Sequence, residues 1–330
     1  MTPGNESSTH SGAAATRPTS AERVQIPEST LREYRRFSLY NSPYPAHDSG
    51  CAIDLYPATN EAVSPVAGEV RETRTVRAPP KSYAADAEYL ILVDVDAARS
   101  GIETGGRESA DLVARILHVR PDVEAGDVVA VGDSLGEMVR SGFFAPWVAN
   151  HVHVGFRHAG QNLHRAGGSL PLDVAVGVVS IPWDGTGEVV ETGETYALLD
   201  APEHPAAEEQ FAGIAGVVDD SDRDRGEPTE YVVLDGGLTH YAGGGALGRS
   251  YEAASTVSFL GHPVGDVVSR DVTWRDVDVL ANGERITGIS LFTGVDPKFG
   301  AKLVCPDRAF TVGETVRVTV RDSDDPIRLG

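Results

Sequence analysis

The chain has 330 residues, 41% of them hydrophobic, and a formal net charge of −21 from 49 acidic against 28 basic residues. That length buries a sizeable core and reads as two domains. Nucleic acid is not expected as a partner because no basic stripe is present to neutralise phosphates, and a membrane is not expected because no run is apolar enough to cross one.

The stretch up to about Glu22 is small, polar and Pro-containing, so residues 1–25 read as a disordered tail without the apolar core of a signal peptide. Arg35-Arg36 is followed by Asn-Ser-Pro-Tyr-Pro instead of an apolar run, which rules out a twin-arginine signal. Short apolar runs then recur at Ala52–Leu55, Ala62–Val66, Tyr89–Val95, Ile116–Val119, Val128–Val131 and Val152–Phe156, cut by Gly, Pro and Asp. These predict closely spaced strands. Ser109–Leu117 fits a short helix or a strand ending at His118.

The polar segment Arg157–Ser169 is the best candidate boundary. Beyond it, Val174–Ile181, Tyr196–Leu199, Tyr231–Leu234, Val257–Leu260, Ile286–Phe292 and Val316–Val320 predict more strands. The expected architecture is all-β, with a first domain over residues 26–160 and a β-rich C-terminal domain over 170–330, whose role and protein partner the sequence leaves open. The glycines from Gly236 to Gly245 lack the Lys-Ser/Thr of a phosphate loop and read as a tight-turn region. Asp220–Gly226 reads as a solvated acidic loop, since its glycine is one place late for a calcium loop and no closing Glu follows.

Lysine is confined to Lys81, Lys298 and Lys302. An acidic, lysine-poor surface resembles that of proteins from salt-rich cytoplasm, so a halophilic, cytoplasmic setting is expected. Cys51 and Cys305 have no metal-type spacing and leave at most one bridge open.

The sharpest chemical signal is His151-Val152-His153-Val154-Gly155-Phe156. On a strand, alternate residues share a face, so both imidazoles project into one groove. Buried rings need partners for their nitrogens, which a metal and its water provide; a pair of surface histidines is the plainer alternative. His118 precedes Val123-Glu-Ala-Gly-Asp-Val-Val-Ala-Val-Gly-Asp-Ser-Leu-Gly136, whose Gly-Asp turns predict a hairpin with His118 on the strand leading in. Upstream lie His47-Asp-Ser-Gly-Cys-Ala-Ile-Asp54 and Val63-Ser-Pro-Val-Ala-Gly-Glu-Val70.

In that order, across about residues 40–157, these motifs resemble the lysostaphin-type zinc endopeptidases, the murein-hydrolysing metallopeptidases, with their β-sandwich or barrel-sandwich hybrid fold. The resemblance implies zinc held by His47, Asp54 and His153, with His118 and His151 as the reacting histidines. It implies hydrolysis of a peptide bond in a peptide or peptidoglycan-like substrate, next to glycine or a D-amino acid. Six residues separate His47 from Asp54 where the family has three, and the odd offset of seven puts them on opposite faces of a regular strand. A loop or bulge must therefore intervene, with Gly50 placed to permit it, and Asp48 is a rival ligand. The alternative function is a degenerate domain of the same fold that serves as a binding or scaffolding module. A lipoyl- or biotinyl-carrier reading fails because Glu137-Met138-Val139-Arg140 supplies no hairpin-tip lysine. His10, His158, His164, His204, His240 and His262 have no partner by spacing and read as structural or surface residues.

Overall fold

The computed structural model describes residues 23–105, 111–219 and 229–329. His10, the acidic loop Asp220–Gly226 and most of the expected tail lie outside the described residues. Within them the expectation of an all-β protein is met, since the only helices are three single turns.

The site is organised by one antiparallel sheet of the first half. Its strands run in the spatial order Arg36–Ser38, Ile53–Tyr56, Val152–His158, Leu112–Leu117, Glu88–Val95 and Gly68–Val76. Ser109–Leu117 thus resolves as a strand, beginning at Leu112, with residues 106–110 undescribed. Its Leu112, Ala114 and Ile116 side chains are buried with those of Ile53, Leu55, Val152 and Val154 in one core, while Val113 packs with Leu90, Leu92 and Leu163 in a smaller cluster, as expected where β-branched and apolar residues fill both faces of a covered sheet. Val119–Pro121, Ser134–Met138 and Glu61–Val63 form the predicted hairpin and its neighbour.

One detail departs from the sequence reading, and one that it left open is settled. A strand begins at Val24, inside the stretch assigned to the tail, and Val24–Pro27 pairs in parallel with Leu172–Ala175. The burial of Val24 and Ile26 rewards that ordering. The cysteines are both free.

The glycine-rich segment holds the expected turn, at residues 239–242, and its flanks are strand, with Tyr231–Leu238 pairing with Gly243–Leu247. Glycine has poor strand propensity, and here neighbouring rings impose it. A Cβ on Gly245 would lie 2.3 Å from the Tyr40 ring, and one on Gly244 would lie 2.1 Å from Trp274. Gly244→Ala is therefore expected to cost about 1–3 kcal/mol of unfolding free energy by overpacking, read as a lowered denaturant midpoint. An unchanged midpoint would show that Trp274 yields freely.

The halves share structure. Arg36–Ser38 pairs on its other edge with Thr293–Gly294, and Phe211, Val233 and Leu247 pack into the core of the first half. A second core, centred on residues such as Phe259, Trp274 and Leu303, lies wholly in the second half.

Candidate metal centre

Asp54 and His153 sit on adjacent strands as direct cross-strand partners. Cross-strand neighbours approach within about 5 Å at Cβ, which turns residues 99 apart in sequence into a contact: His153 Nδ1 lies 2.9 Å from Asp54 Oδ1. His47 arrives by a different route. Pro45 opens a single helical turn, Pro45–Asp48, that carries His47, and Gly50, at φ +57°, turns the chain back toward the strand of Asp54. The predicted interruption thus exists, as a helical turn with a left-handed glycine. The Asp48 side chain lies outside what the structure describes.

His47 Nδ1 donates to the Leu39 carbonyl at 2.7 Å, which fixes the tautomer and leaves Nε2 with its lone pair. That Nε2 lies 3.2 Å from His153 Nδ1 and 3.4 Å from Asp54 Oδ1. The three separations are close to the about 3.3 Å edge of a tetrahedron whose metal–ligand bonds are about 2.0–2.1 Å. His47, Asp54 and His153 are also the group among the described residues whose donor atoms converge closely enough to hold a metal ion. With His47 Nε2 and His153 Nδ1 unprotonated, three acceptors would face one another and repel unless a cation lay between them, so the donor set fits a divalent ion with N/O preference.

Burial lowers the His47 pKa, but the charge and hydrogen bond of Asp54 outweigh it and hold the ring above its usual value, as in a pocket that draws positive charge. Burial by itself raises the Asp54 carboxyl, but the charges of His151 and His47 and the hydrogen bonds from His151 and His153 outweigh it and hold the acid well below its usual range. Burial pushes His153 down to about 4 against the opposing pull of Asp54, so its ring is neutral.

The two remaining histidines flank this cluster. His151 Nδ1 donates to the Ala149 carbonyl at 3.0 Å and its Nε2 lies 3.3 Å from Asp54 Oδ1. The Phe144 ring stacks on it at a centroid distance of 4.3 Å. His118 lies with its ring centroid 5.2 Å from that of His151 and 5.6 Å from that of His153. It does not sit on the strand leading into the hairpin but at the break before it, at φ +72°, a left-handed conformation that costs a non-glycine residue of order 1–3 kcal/mol.

The group that holds His118 there escaped the sequence reading. Glu88, 2% exposed, accepts from the His118 backbone N–H at 3.0 Å through one oxygen and lies 3.0 Å from His118 Nδ1 through the other. The Ser141 hydroxyl also donates to it. With Nδ1–H directed to a carboxylate, Nε2 is the free acceptor. Burial lowers the His118 pKa, with Glu88 opposing.

A second missed residue comes from the other half of the chain. Asp235, fully buried, accepts from the Ser38 hydroxyl at 2.5 Å and from the Leu39 backbone N–H at 2.6 Å, clamping the turn whose Leu39 carbonyl receives His47. Only residue identity marks it in sequence, as one acid among 49.

All five predicted site residues line one cavity of about 330 Å³, walled by Tyr44, Phe143, Phe144 and Tyr241. His164, read as a connector residue, lines it too. The other described histidines are structural as expected: His158 pairs with Asp111, His262 with Asp322, and His204 with the Gly294 carbonyl. His240 is buried with both ring nitrogens unpartnered. No helix among the described residues is long and apolar enough to cross a membrane.

Two successive family models match the chain: Domain of unknown function (DUF8155) N-terminal domain over residues 25–174 and DUF8155 C-terminal domain over residues 179–321. Among solved structures the chain is similar to the NMR solution structure of lysostaphin, at 15% identity and a TM-score of 0.25, covering 78% of this chain and 92% of that one. It is similar as well to the antimicrobial peptidase lysostaphin from Staphylococcus simulans, at 14% identity and a TM-score of 0.21 with the same coverage. No curated protein matches significantly.

Proposed function

We propose that the chain is a zinc-dependent hydrolase that cleaves a peptide bond in a peptide or peptidoglycan-like substrate. One observation carries the reading: two imidazole nitrogens and a carboxylate oxygen stand 2.9–3.4 Å apart, with two further histidines beside them in the same cavity. The motif order resembling the zinc endopeptidases supports it.

His47, Asp54 and His153 would hold the metal. Zinc with three protein ligands supplies a Lewis acid that polarises a carbonyl and brings the pKa of a water toward neutrality. His118, its Nδ1 fixed by Glu88, would take a proton from the attacking water on Nε2 and return it to the leaving amine. His151, anchored through Nδ1 and stacked on Phe144, would in its doubly protonated form donate from Nε2 to the oxyanion of the tetrahedral intermediate. The aromatic wall excludes water and strengthens each of these interactions.

Metal analysis of the purified chain in high-salt buffer is the direct test. Wild type should hold about one zinc per chain, and Asp54→Ala and His153→Ala about tenfold less or lower. Equal, negligible zinc in all three would refute the metal site. Full zinc with no cleavage across a screen of glycine- and D-alanine-containing peptides would instead favour the scaffold alternative.

A further inference from the structure

In a chain with 49 acidic residues, the buried arginine of the cavity has no acid to pair with among the described residues. Arg115 lines the cavity and is 4% exposed. Its Nε donates to the Leu163 carbonyl at 2.6 Å. Its two Nη groups make no hydrogen bond or ion pair among the described residues, yet they are not among the sealed, unpartnered polar atoms; they are therefore reached from the cavity.

The surroundings add positive charge instead of cancelling it. Arg157, 1% exposed, is held by the Ala166 and Gly167 carbonyls at 3.2 and 2.9 Å and has no ion pair either. Burial, with the charge of Arg157, pushes Arg115 down to about 10. Exposed Arg77 lines the cavity without an ion pair. Asp54 supplies the cavity's one carboxylate among the described residues, and it is committed to the histidines. Removing an unpaired guanidinium from water costs several kcal/mol, a cost that an incoming anion offsets, and the planar fork matches a carboxylate in geometry as well as charge.

Register gives the spacing. Leu117 is the cross-strand partner of His153, and Arg115 is the partner of Gly155. Arg115 thus shares the face of Leu117 and lies two residues along the strand, about 7 Å from the His153 row, or about two residues of an extended peptide.

We propose that Arg115 receives a carboxylate of the peptide substrate, about two residues from the bond to be cut. The position relative to the bond rests on the hydrolase reading; carboxylate binding does not. The carboxylate is either a free C-terminus or an acidic side chain, and the test separates them.

Three N-acetylated tetraglycine-based peptides would be titrated into the full chain by calorimetry: the free acid, the C-terminal amide, and an amide with one internal glutamate. At least one carboxylate form should bind about tenfold or more tightly than the neutral amide. The free acid winning identifies a C-terminal carboxylate, and the glutamate peptide winning identifies an acidic side chain. Arg115→Met should abolish the preference, and Arg115→Lys, which keeps charge but loses the fork, should retain part of it; thermal unfolding checks that both variants fold. Equal binding of all three peptides to wild type, failure of all to bind, or a preference that survives Arg115→Met overturns the proposal. Carboxylate-dependent binding without cleavage of any peptide would sink the hydrolase and leave the carboxylate site standing. Cleavage blind to the carboxylate would do the reverse.

Discussion

His118→Ala is expected to lower peptide hydrolysis by about 10²–10⁴-fold while the zinc content stays at the wild-type level. The separation follows from the geometry: the atoms close enough to share a metal ion belong to His47, Asp54 and His153, and the His118 ring contributes none of them. His151→Ala should behave likewise, because removing its donor leaves the developing oxyanion short of one hydrogen bond, a loss of about 10²–10³-fold. Steady-state kinetics beside metal analysis checks both. Unchanged turnover in either variant would refute the role assigned to that ring, and loss of zinc would mean that it is a ligand. Glu88→Gln makes the finer distinction, since glutamine still accepts from the His118 backbone N–H but no longer presents a charge to Nδ1; hydrolysis should fall by less than in His118→Ala, with zinc retained.

The second large effect concerns stability and sits at the seam between the halves. Lys302, 8% exposed, donates from Nζ to the Trp147 carbonyl and lies 4.4 Å from the Tyr196 ring centroid, with no carboxylate in salt-bridge reach among the described residues. Burial, aided by the charge of Arg36, pushes its pKa down to about 7. Because the folded value is below the unfolded one of about 10.4, the unfolded chain holds the extra proton between those two pH values. Stability therefore rises with pH across that window; the penalty is full below pH 7 and gone above about 10.4. Lys302→Met removes the charge, so its stability relative to wild type should be greater at pH 7 than at pH 10 by about 3 kcal/mol. Denaturant unfolding of both chains with zinc chelated measures this difference. A constant difference across the two pH values would show that the ammonium is solvated in the folded state.

How much of this was readable beforehand depended on whether the determinant was local. The His-x-His pair was legible because strand alternation is a two-residue rule, and His151 and His153 do reach the same carboxylate oxygen. The seven-residue offset from His47 to Asp54 was legible as an interruption, and Pro45 and Gly50 supply it through a fixed φ and a left-handed φ. Glu88 and Asp235 were not legible. Each acts through pairings that join distant strands, and in so acidic a chain no local pattern singles out the few carboxylates that are buried. The glycine strands that flank the turn were not legible for a related reason: they are packed by Tyr40 and Trp274, far away in sequence, against the residues' own preference.

The Asp235 clamp on Ser38 and Leu39 has a consequence for how such a chain can be divided. The ring of His47 is aimed by a backbone turn that belongs to the first half but is held by a carboxylate from the second. The first half is consequently not a portable cassette. Excised or grafted onto another partner, it would keep His47, Asp54 and His153 in its sequence and lose the group that aims one of them.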